Sequence, residues 1–264
     1  EKFFKTEKIL LNVLLPIDHI IDSLYNHRPD MLITYPSMLS KLTAAFRARG
    51  EKPDFFRLIV LSGELITPQY KNKQAQFYSA TILNSYISTE GGLMAIDRMD
   101  NGGMKLIADN VFIEVLKDGE NVWDEEGDIV ITELNNRAMP LIRYSGMKDR
   151  GILSRSQDGT PYLKIITGRR IDSIINSRGK EISPFFVTEV VEKYSQVLRF
   201  SIRQKTPQSF LIKLILRNDK EKFLYGGSIY NSIKSSLEKM MGEEIDLDII
   251  VSESIEKDEE DPMF

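Results

Sequence analysis

Cysteine is absent from this sequence of 264 residues, which excludes a disulfide scaffold, a thiolate zinc site and a cysteine nucleophile. Its two histidines, His19 and His27, argue against a metal site built from histidine alone. The apolar runs are shorter than the ~18 residues that span a bilayer. The opening EKFFKTEKILLNVLL carries too many charges for the apolar core of a signal peptide. These absences fit a protein of the reducing cytoplasm.

The sequence also lacks an excess of basic charge. It has 35 lysines and arginines against 39 aspartates and glutamates, which gives a net charge of −4. Nucleic acids and anionic membrane surfaces are bound by dense basic faces, so neither is an expected partner. A hydrophobic share of 42% is too high for a disordered chain. The length accommodates one or two domains with a buried core.

The first hundred residues alternate helical apolar periods with short apolar runs. The pattern predicts helices over 16–27, from Leu39 to Gly50 and over 68–78, and strands over 31–33, 58–61 and 81–86. Alternation of this kind predicts a parallel α/β sheet. Between residues 104 and 166, short strand-like runs are separated by turn signals such as Asp118-Gly119, which predicts an antiparallel appendage to the same domain.

The pattern breaks at residues 167–172, and a strand, helix, strand, strand, helix, strand order follows. The first of these helices is predicted over Pro184–Val197 with Ser183 as its N-cap, and the second ends at Gly242. The sequence thus predicts an α/β fold with a large domain over 1–167. A smaller C-terminal α+β domain with a split βαβ pattern is predicted over 168–264.

Polar and glycine residues follow each of the three predicted parallel strands. The strand tips are Tyr35-Pro36-Ser37, Ser62-Gly63-Glu64 and the run from Tyr86 to Gly92. Ligands of open parallel sheets bind beyond the carboxyl ends of the strands, which makes these tips a candidate site. The alternative stays open, because strand ends favour glycine, serine and proline in any protein.

Several motifs occur together in a fixed order at domain-scale spacing. They are Tyr86-x-Ser88-Thr89-Glu90, then Pro140-Leu141-Ile142-Arg143-Tyr144 with Asp149, then Gly168-Arg169-x-x-Asp172, and Gly179-Lys180-x-x-Ser183-Pro184. The ordered set resembles the adenylate-forming superfamily. Within it the chain looks most like phenylacetate–CoA ligase and the capsule-biosynthesis-type relatives of that enzyme. The resemblance extends from about Ile20 to Val251.

The resemblance implies a role for each matching residue on the nucleotide side. Tyr86 would pack on adenine, Thr89 would face the α-phosphate, and Glu90 would hold Mg²⁺. Mg²⁺ takes one or two carboxylates together with substrate phosphates, so a single glutamate suits it. The turn Ser62-Gly63-Glu64 would line the adenine pocket, and Asn84 and Ser85 would lie beside it.

Further roles follow for ribose, phosphate and the acid. Asp149 would accept the ribose hydroxyls, since a carboxylate offers two acceptor oxygens to a diol. Arg169 would meet phosphate or ribose where the two domains join. The wall of the acyl pocket would include Tyr35-Pro36-Ser37 and Ile87.

Simpler roles remain open for three of these residues. Glu64 is also placed to act as a carboxylate at a helix N-terminus, where the helix dipole favours negative charge. Arg143 is interpreted as bracing its loop through an ion pair. Asp149 follows Tyr144 one residue later than the family pattern expects, so a turn role stays open for it.

The reaction implied by the resemblance is ATP-dependent activation of a carboxylic acid, of aryl or aryl-acetic type, as an acyl-adenylate. Thioester formation with coenzyme A would follow, with rotation of the second domain about residues near 167–172. The implied ligands are ATP or AMP, Mg²⁺, coenzyme A or another acyl acceptor, and the acid; a homodimer is left open.

Two expected motifs are missing from the sequence. No Ser/Thr/Gly-rich phosphate loop precedes the first strand, and no Gly-Lys occurs in the terminal run 256–264. Ile171 stands where the family usually has the first of two aspartates. Because the chain also begins at Glu1, an incomplete chain is expected. The alternatives are a catalytically silent nucleotide-binding relative and an adenylating enzyme with an acceptor other than coenzyme A.

Overall fold

The computed structural model describes residues 7–98, 102–169, 173–194, 196–216 and 228–252. Ile171 and Asp172, which the sequence places at the hinge, lie outside these ranges, as does the acidic run after residue 252. Within the described ranges, none of the helices combines the length and hydropathy needed to cross a membrane.

The first part of the chain alternates helices and strands as predicted. Its elements are α1 Ile17–His27, β1 Met31–Thr34, α2 Pro36–Ala48, β2 Leu58–Ser62, α3 Pro68–Tyr78 and β3 Thr81–Ser88. The three strands pair in parallel in the order β1-β2-β3. Their carboxyl ends therefore meet at one edge of the sheet.

The sequence explains why these helices form where they do. Pro36 occupies the first turn of α2, where a missing N–H costs nothing. Leu39, Leu42 and Phe46 are fully buried at helical spacing and pack with the strands into one core. Thr67 caps α3, because its hydroxyl accepts a hydrogen bond from the backbone N–H of Tyr70 at 3.1 Å.

The second part of the chain extends the same sheet with antiparallel strands. They are β4 Gly92–Asp97, β5 Met104–Leu106, β6 Val111–Lys117, β7 Glu120–Asn121, β8 Glu126–Glu133, β9 Asp149–Arg155 and β10 Pro161–Arg169. The sheet has ten strands in the order β1-β2-β3-β4-β5-β10-β9-β8-β6-β7. The predicted parallel sheet with an antiparallel appendage is confirmed, and the appendage is hydrogen-bonded to the sheet as one continuous structure.

The last part of the chain contains β11 Ile174–Ile175, β12 Glu181–Ile182, α4 Pro184–Glu192, β13 Val197–Thr206, β14 Ser209–Leu216, α5 Ser228–Met241 and β15 Asp246–Val251. Strands β11 and β12 form a ribbon, and β13-β14-β15 form a separate sheet. In that sheet β14 and β15 are parallel and joined by α5, which makes a βαβ unit. One core cluster, drawn entirely from residues between 174 and 249, holds this part together.

Helix α4 is shorter than the sequence pattern suggests. It begins at Pro184 as predicted, with the Ser183 hydroxyl accepting a hydrogen bond from the Phe185 N–H, but it ends at Glu192. Val197, predicted as the last apolar position of the helix, instead begins β13. Its side chain is buried in the same core as Val190 and Val191, so burial satisfies the apolar pattern without a helix.

Candidate functional site

The candidate site lies where β1, β2 and β3 end. Tyr35 is the N-cap of α2 directly after β1, Ser62 is the last residue of β2, and Ser88 is the last residue of β3. Ser62 lies beside Ser85 in the parallel pairing of β2 and β3. Polar groups from all three predicted strand tips therefore share one edge of the sheet.

Glu64 binds the N-terminus of helix α2. One carboxylate oxygen accepts from the Ser37 backbone N–H at 2.8 Å, and the other accepts from the Ser37 hydroxyl at 2.6 Å. Both oxygens are thus engaged at the positive end of a helix. The observed contacts match the simpler role that the sequence left open for Glu64.

Gly63 allows the turn after β2 to pass close to Tyr35. Its φ of +83° lies in the left-handed region, and an added Cβ would lie 3.0 Å from Cε1 of the Tyr35 ring. The Tyr35 ring thus covers this turn and keeps one face toward solvent, being 49% exposed. Pro36, beside it, is buried and its carbonyl accepts a hydrogen bond from the Tyr70 hydroxyl at 2.6 Å.

Asn84 and Ser85 are held by contacts within the sheet. The Ser85 hydroxyl donates to the Leu61 carbonyl at 3.0 Å, and the Asn84 backbone N–H donates to Asp97 at 2.8 Å. The same Asp97 oxygen lies 2.8 Å from the Lys71 ammonium in a largely buried ion pair. Sequence reasoning missed Asp97 and Lys71, because neither belongs to a motif and they meet only once α3 packs on the sheet.

Tyr86, Asp149 and Arg169 form one connected group. The Tyr86 hydroxyl donates to Asp149 Oδ2 at 2.7 Å, and Arg169 Nε lies 3.5 Å from Asp149 Oδ1. Asp149 begins β9 and Arg169 ends β10, where the two residues are direct cross-strand partners. The structure therefore brings together three residues that the sequence assigned separately to adenine, ribose and phosphate.

This contact requires the sheet to curve. Strands β4, β5 and β10 lie between β3 and β9, so in a flat sheet the two would be about 19 Å apart at ~4.8 Å per step. Tyr86 belongs to the core enclosed by the curved strands and is 8% exposed there. Its hydroxyl reaches the rim of that core, at the point where β9 begins.

The electrostatics of the group follow from its burial. Burial raises the pKa of the Asp149 carboxyl, and the Tyr86 hydroxyl and the Arg169 guanidinium oppose that rise. Burial and then the neighbouring Asp149 charge raise the pKa of Tyr86, which keeps its proton. The negative charge of Glu90 acts on both groups in the same upward direction. Glu90 therefore lies within electrostatic range of Tyr86 and Asp149.

Thr89 and Glu90 form the turn between β3 and β4. The turn is closed by the Gly91 N–H, which donates to the Ser88 hydroxyl at 2.9 Å. The Asn110 side-chain amide donates to the Gly91 carbonyl at 2.7 Å, which fixes the turn from outside. Asn110 was missed from sequence, since a lone asparagine at a turn carries no specific signal. Thr89 is exposed and Glu90 is half-buried, so both are open to a ligand.

The predicted site residues thus fall into two groups. Tyr35, Ser37, Gly63 and Glu64 contact one another at the first two strand tips. Tyr86, Asp149 and Arg169 contact one another farther along the sheet, with Thr89 and Glu90 in the adjoining turn. The pairing of Ser62 with Ser85 links the groups through the backbone. Ile87, beside Tyr86, is 45% exposed.

Arg143 follows its predicted structural role. Its Nε lies 3.2 Å from Glu114 Oε2, and its backbone N–H donates to the Thr132 hydroxyl at 3.0 Å. The guanidinium is half-exposed while the Glu114 side chain is largely buried. The ion pair that the sequence predicts for Arg143 is therefore observed, with Glu114 as its partner.

The donor groups around Glu90 fit a metal ion that is bound mainly by substrate phosphates, and do not fit one that is bound by protein side chains alone. Across the described residues, no cluster of three or more histidine or acidic side chains is arranged to hold a metal ion. A single half-buried carboxylate beside the Thr89 hydroxyl is an oxygen-only set. Mg²⁺ accepts such a set when substrate phosphates and waters complete its coordination.

Comparison with known proteins gives structural matches only. No protein-family model matches the chain, and no curated protein matches it. A 2-hydroxyisobutyryl-CoA ligase in the postadenylation state, bound to an acyl-AMP, has a TM-score of 0.76 and 19% identity over 92% of this chain. The same enzyme gives a TM-score of 0.59 in an open conformation and 0.54 in the thioesterification state.

Two further solved structures are similar. The anthranilate CoA ligase AuaEII in complex with anthranoyl-AMP has a TM-score of 0.66 and 14% identity over 92% of this chain. The amide bond synthetase McbA from Marinactinospora thermotolerans has a TM-score of 0.65 and 14% identity over 92% of this chain. This chain covers 55%, 49% and 52% of the three proteins, or about half the length of each. At these identities the likeness establishes the fold alone, which the chain shares with about half of each of these proteins.

Proposed function

We propose that the chain provides the adenosine-binding and acid-binding part of an adenylate-forming ligase. The observation that carries the proposal is the Tyr86–Asp149–Arg169 group, where β3 approaches the start of β9 and the end of β10. In this group the partly desolvated carboxylate of Asp149 offers acceptor oxygens for a diol, and the guanidinium of Arg169 offers a positive charge for a phosphate. The matched fold, solved with acyl-AMP in two of the three proteins above, supports this assignment.

The proposed reaction begins with attack of a substrate carboxylate oxygen on the α-phosphorus of ATP. The bond to the bridging oxygen breaks, and pyrophosphate leaves with the electron pair. The thiolate of coenzyme A then attacks the acyl carbon, AMP leaves, and the thiol proton passes to solvent. Such chemistry is accelerated by positioning and charge neutralisation.

The residues of this chain would contribute in distinct ways. Asp149 would orient the ribose, and Arg169, whose side chain is 67% exposed, is free to turn from Asp149 toward the α-phosphate. Thr89 would donate a hydrogen bond to the same phosphate. Glu90 would hold Mg²⁺ when it arrives with ATP, and the ion would neutralise phosphate charge. Tyr35 and Ile87, both exposed, would form part of the acyl pocket.

The acid is proposed to be of aryl or aryl-acetic type, closest to the substrates of phenylacetate–CoA ligases. The motif resemblance supports this class, as does the fold shared with the anthranilate enzyme. An acceptor other than coenzyme A is the second candidate, because McbA, an amide bond synthetase, has the same fold over the same share of the chain. Both candidates require the same adenylation step.

We also propose that residues 1–167 and 168–264 act as two domains that change their relative orientation between the half-reactions. The fall in TM-score from 0.76 to 0.54 between two states of one enzyme supports this. Such a change would break the contacts that join the two parts, among them the hydrogen bond that the Lys73 ammonium donates to the Glu192 carbonyl at 3.1 Å. Gly168 passes between Leu65 and Pro184, and the Thr67 hydroxyl donates to Glu192.

Binding and exchange assays test the proposal. We expect the purified chain to bind AMP in calorimetric titration, and to bind a non-hydrolysable benzoyl-adenylate analogue more tightly because it presents both halves of the intermediate. ATP–pyrophosphate exchange by the chain alone should be weak, since no glycine-rich loop offers N–H groups to the β- and γ-phosphates. Absence of binding to both adenylate ligands would refute the proposal.

The role of Glu90 has its own test. Glu90→Gln should lower pyrophosphate exchange by about 10²–10³-fold in any form of the protein that supports it, because one electrostatic group is lost from the transition state. Glu120→Gln, which alters an exposed carboxylate on β7, should leave exchange unchanged. Equal exchange with and without Glu90→Gln, in a form of the protein that supports exchange, would exclude the metal role.

A further inference from the structure

We infer that the Tyr86 hydroxyl is a positioning group that orients Asp149 toward the ribose, so that preference for ribonucleotides over deoxyribonucleotides depends on it. The inference rests on the proposed function and adds a role that the ring of Tyr86 does not supply. Tyr86 itself need not touch the ribose, because it acts through the carboxylate.

The first argument is the way in which the carboxylate is held. The terminal torsion of an aspartate is broad and has no strongly preferred angle. In this structure Oδ2 accepts from Tyr86 at 2.7 Å, and Oδ1 lies 3.5 Å from Arg169 Nε. The shorter contact comes from the buried partner, and the longer one from a side chain that is 67% exposed. The phenol therefore fixes the carboxylate plane more firmly than the arginine does.

The second argument is the rigidity of the phenol. Tyr86 is 8% exposed and belongs to the same buried core cluster of the curved sheet as Met94, Ala95 and Met104. A ring enclosed in this way cannot follow a moving carboxylate, so the carboxylate must adopt the direction that the phenol sets. The small exposed area also limits how much of the ring can stack on a purine.

The third argument is the count of hydrogen-bonding sites. A phenol has one proton to donate, and Tyr86 donates it to Asp149. An ionised carboxylate has about four lone-pair sites, of which Tyr86 and Arg169 use one each. The remaining sites suffice for the two hydroxyls of a ribose. Their direction is set once the carboxylate plane is fixed.

The test compares AMP with 2′-deoxy-AMP and 3′-deoxy-AMP in calorimetric titrations of the 264-residue chain. The parent chain should prefer AMP over at least one deoxy analogue by about tenfold or more, as expected for one hydrogen bond to a charged group. Tyr86→Phe keeps the ring and removes the hydroxyl. It should weaken AMP by about tenfold and leave deoxy-analogue binding unchanged, so that the preference disappears.

Two control variants separate positioning from a general loss of structure. Tyr230→Phe also removes a phenol hydrogen bond, the one at 3.0 Å to the Leu247 carbonyl, and should leave the ribose preference intact. Asp149→Asn should abolish the preference by itself, and adding Tyr86→Phe to it should change AMP binding little further. Such non-additivity is expected when one residue acts through the other. Thermal unfolding followed by circular dichroism verifies that each variant is folded.

The outcomes distinguish the inference from the function on which it rests. If Tyr86→Phe weakens all three nucleotides equally, or keeps the full preference, the positioning role is wrong. If the parent chain binds AMP without any ribose preference, the positioning role and the ribose role of Asp149 are both wrong, while nucleotide binding by the chain stands. If the parent chain binds no nucleotide, both are wrong. If Tyr86→Phe does not fold, Asp149→Asn decides, and a retained preference in that variant overturns the inference.

Discussion

Replacement of Glu64 by alanine tests whether this residue stabilises a helix or contacts the nucleotide. The sequence resemblance assigns Glu64 to the adenine pocket, whereas the structure has both of its oxygens on Ser37 at the start of α2. Glu64→Ala removes both hydrogen bonds and the negative charge at the helix N-terminus. Its effect on stability and its effect on AMP binding can be measured separately.

The expected loss of stability follows from these contacts. Loss of an N-terminal cap typically costs ~1 kcal/mol, within a range of 0.5–2. A carboxylate near a helix N-terminus adds about 0.3–1 kcal/mol when it is exposed, as Glu64 is. We therefore expect Glu64→Ala to lower the free energy of unfolding by about 1–2 kcal/mol. AMP affinity should change less than twofold.

Urea unfolding followed by far-ultraviolet circular dichroism, together with AMP titration, provides the assay. Ser37→Ala is the matched control, because it removes the hydroxyl half of the same contact and leaves the carboxylate in place. In the double variant, the two losses should not add, since both act on one contact. An unchanged free energy of unfolding combined with a tenfold loss of AMP affinity would refute the capping role and support the adenine-pocket role.

Three other changes have definite expected results. Burial raises the pKa of Glu192, so the folded chain favours the protonated acid and loses stability as the pH rises through that pKa. Glu192→Gln removes the ionisable group and should therefore raise the urea midpoint of unfolding more at pH 8 than at pH 5. Thr43→Val should lower the free energy of unfolding by about 1–3 kcal/mol, because Gln74 and Tyr78 lose their buried partner, and urea unfolding would show it. Arg143→Met should cost at most about 1 kcal/mol by the same measurement, since its ion pair is half-exposed, and a tenfold fall in AMP affinity would contradict a purely structural role.

Local patterns in the sequence were sufficient to locate the elements around the site. Short apolar runs bounded by turn residues locate β1, β2 and β3, and apolar spacing locates the helices between them, although β3 ends at Ser88 and not at Tyr86. The end of α4 was not predictable in this way, because Val197 is buried in the same core whether it continues a helix or begins a strand. Burial alone does not distinguish the two structures.

The contacts within the candidate site were harder to predict. That Tyr86 lies near Asp149 was expected from the motif set, but their hydrogen bond depends on the curvature of strands whose sequences contain no motif. Glu64 has a capping partner that only the packing of α2 reveals. Asn110 holds the turn at Glu90 through the Gly91 carbonyl, although it lies 19 positions after Gly91 in the chain. No spacing rule identifies such a residue.

The curvature of the sheet has a consequence for how the protein would respond to a ligand. β3 and β9 are brought together only when the strands between them bend. A molecule that contacts both strands therefore stabilises the bent arrangement of the sheet. By mass action, a ligand at a hundredfold excess over its dissociation constant stabilises the form it binds by about 2.7 kcal/mol. Hydrogen exchange in β9 and β10 should slow accordingly, while the helices on the parallel strands would exchange as before. Occupancy of the site would thus be reported by the backbone of β10 and β9, which lie three and four strands from β3 in the sheet order.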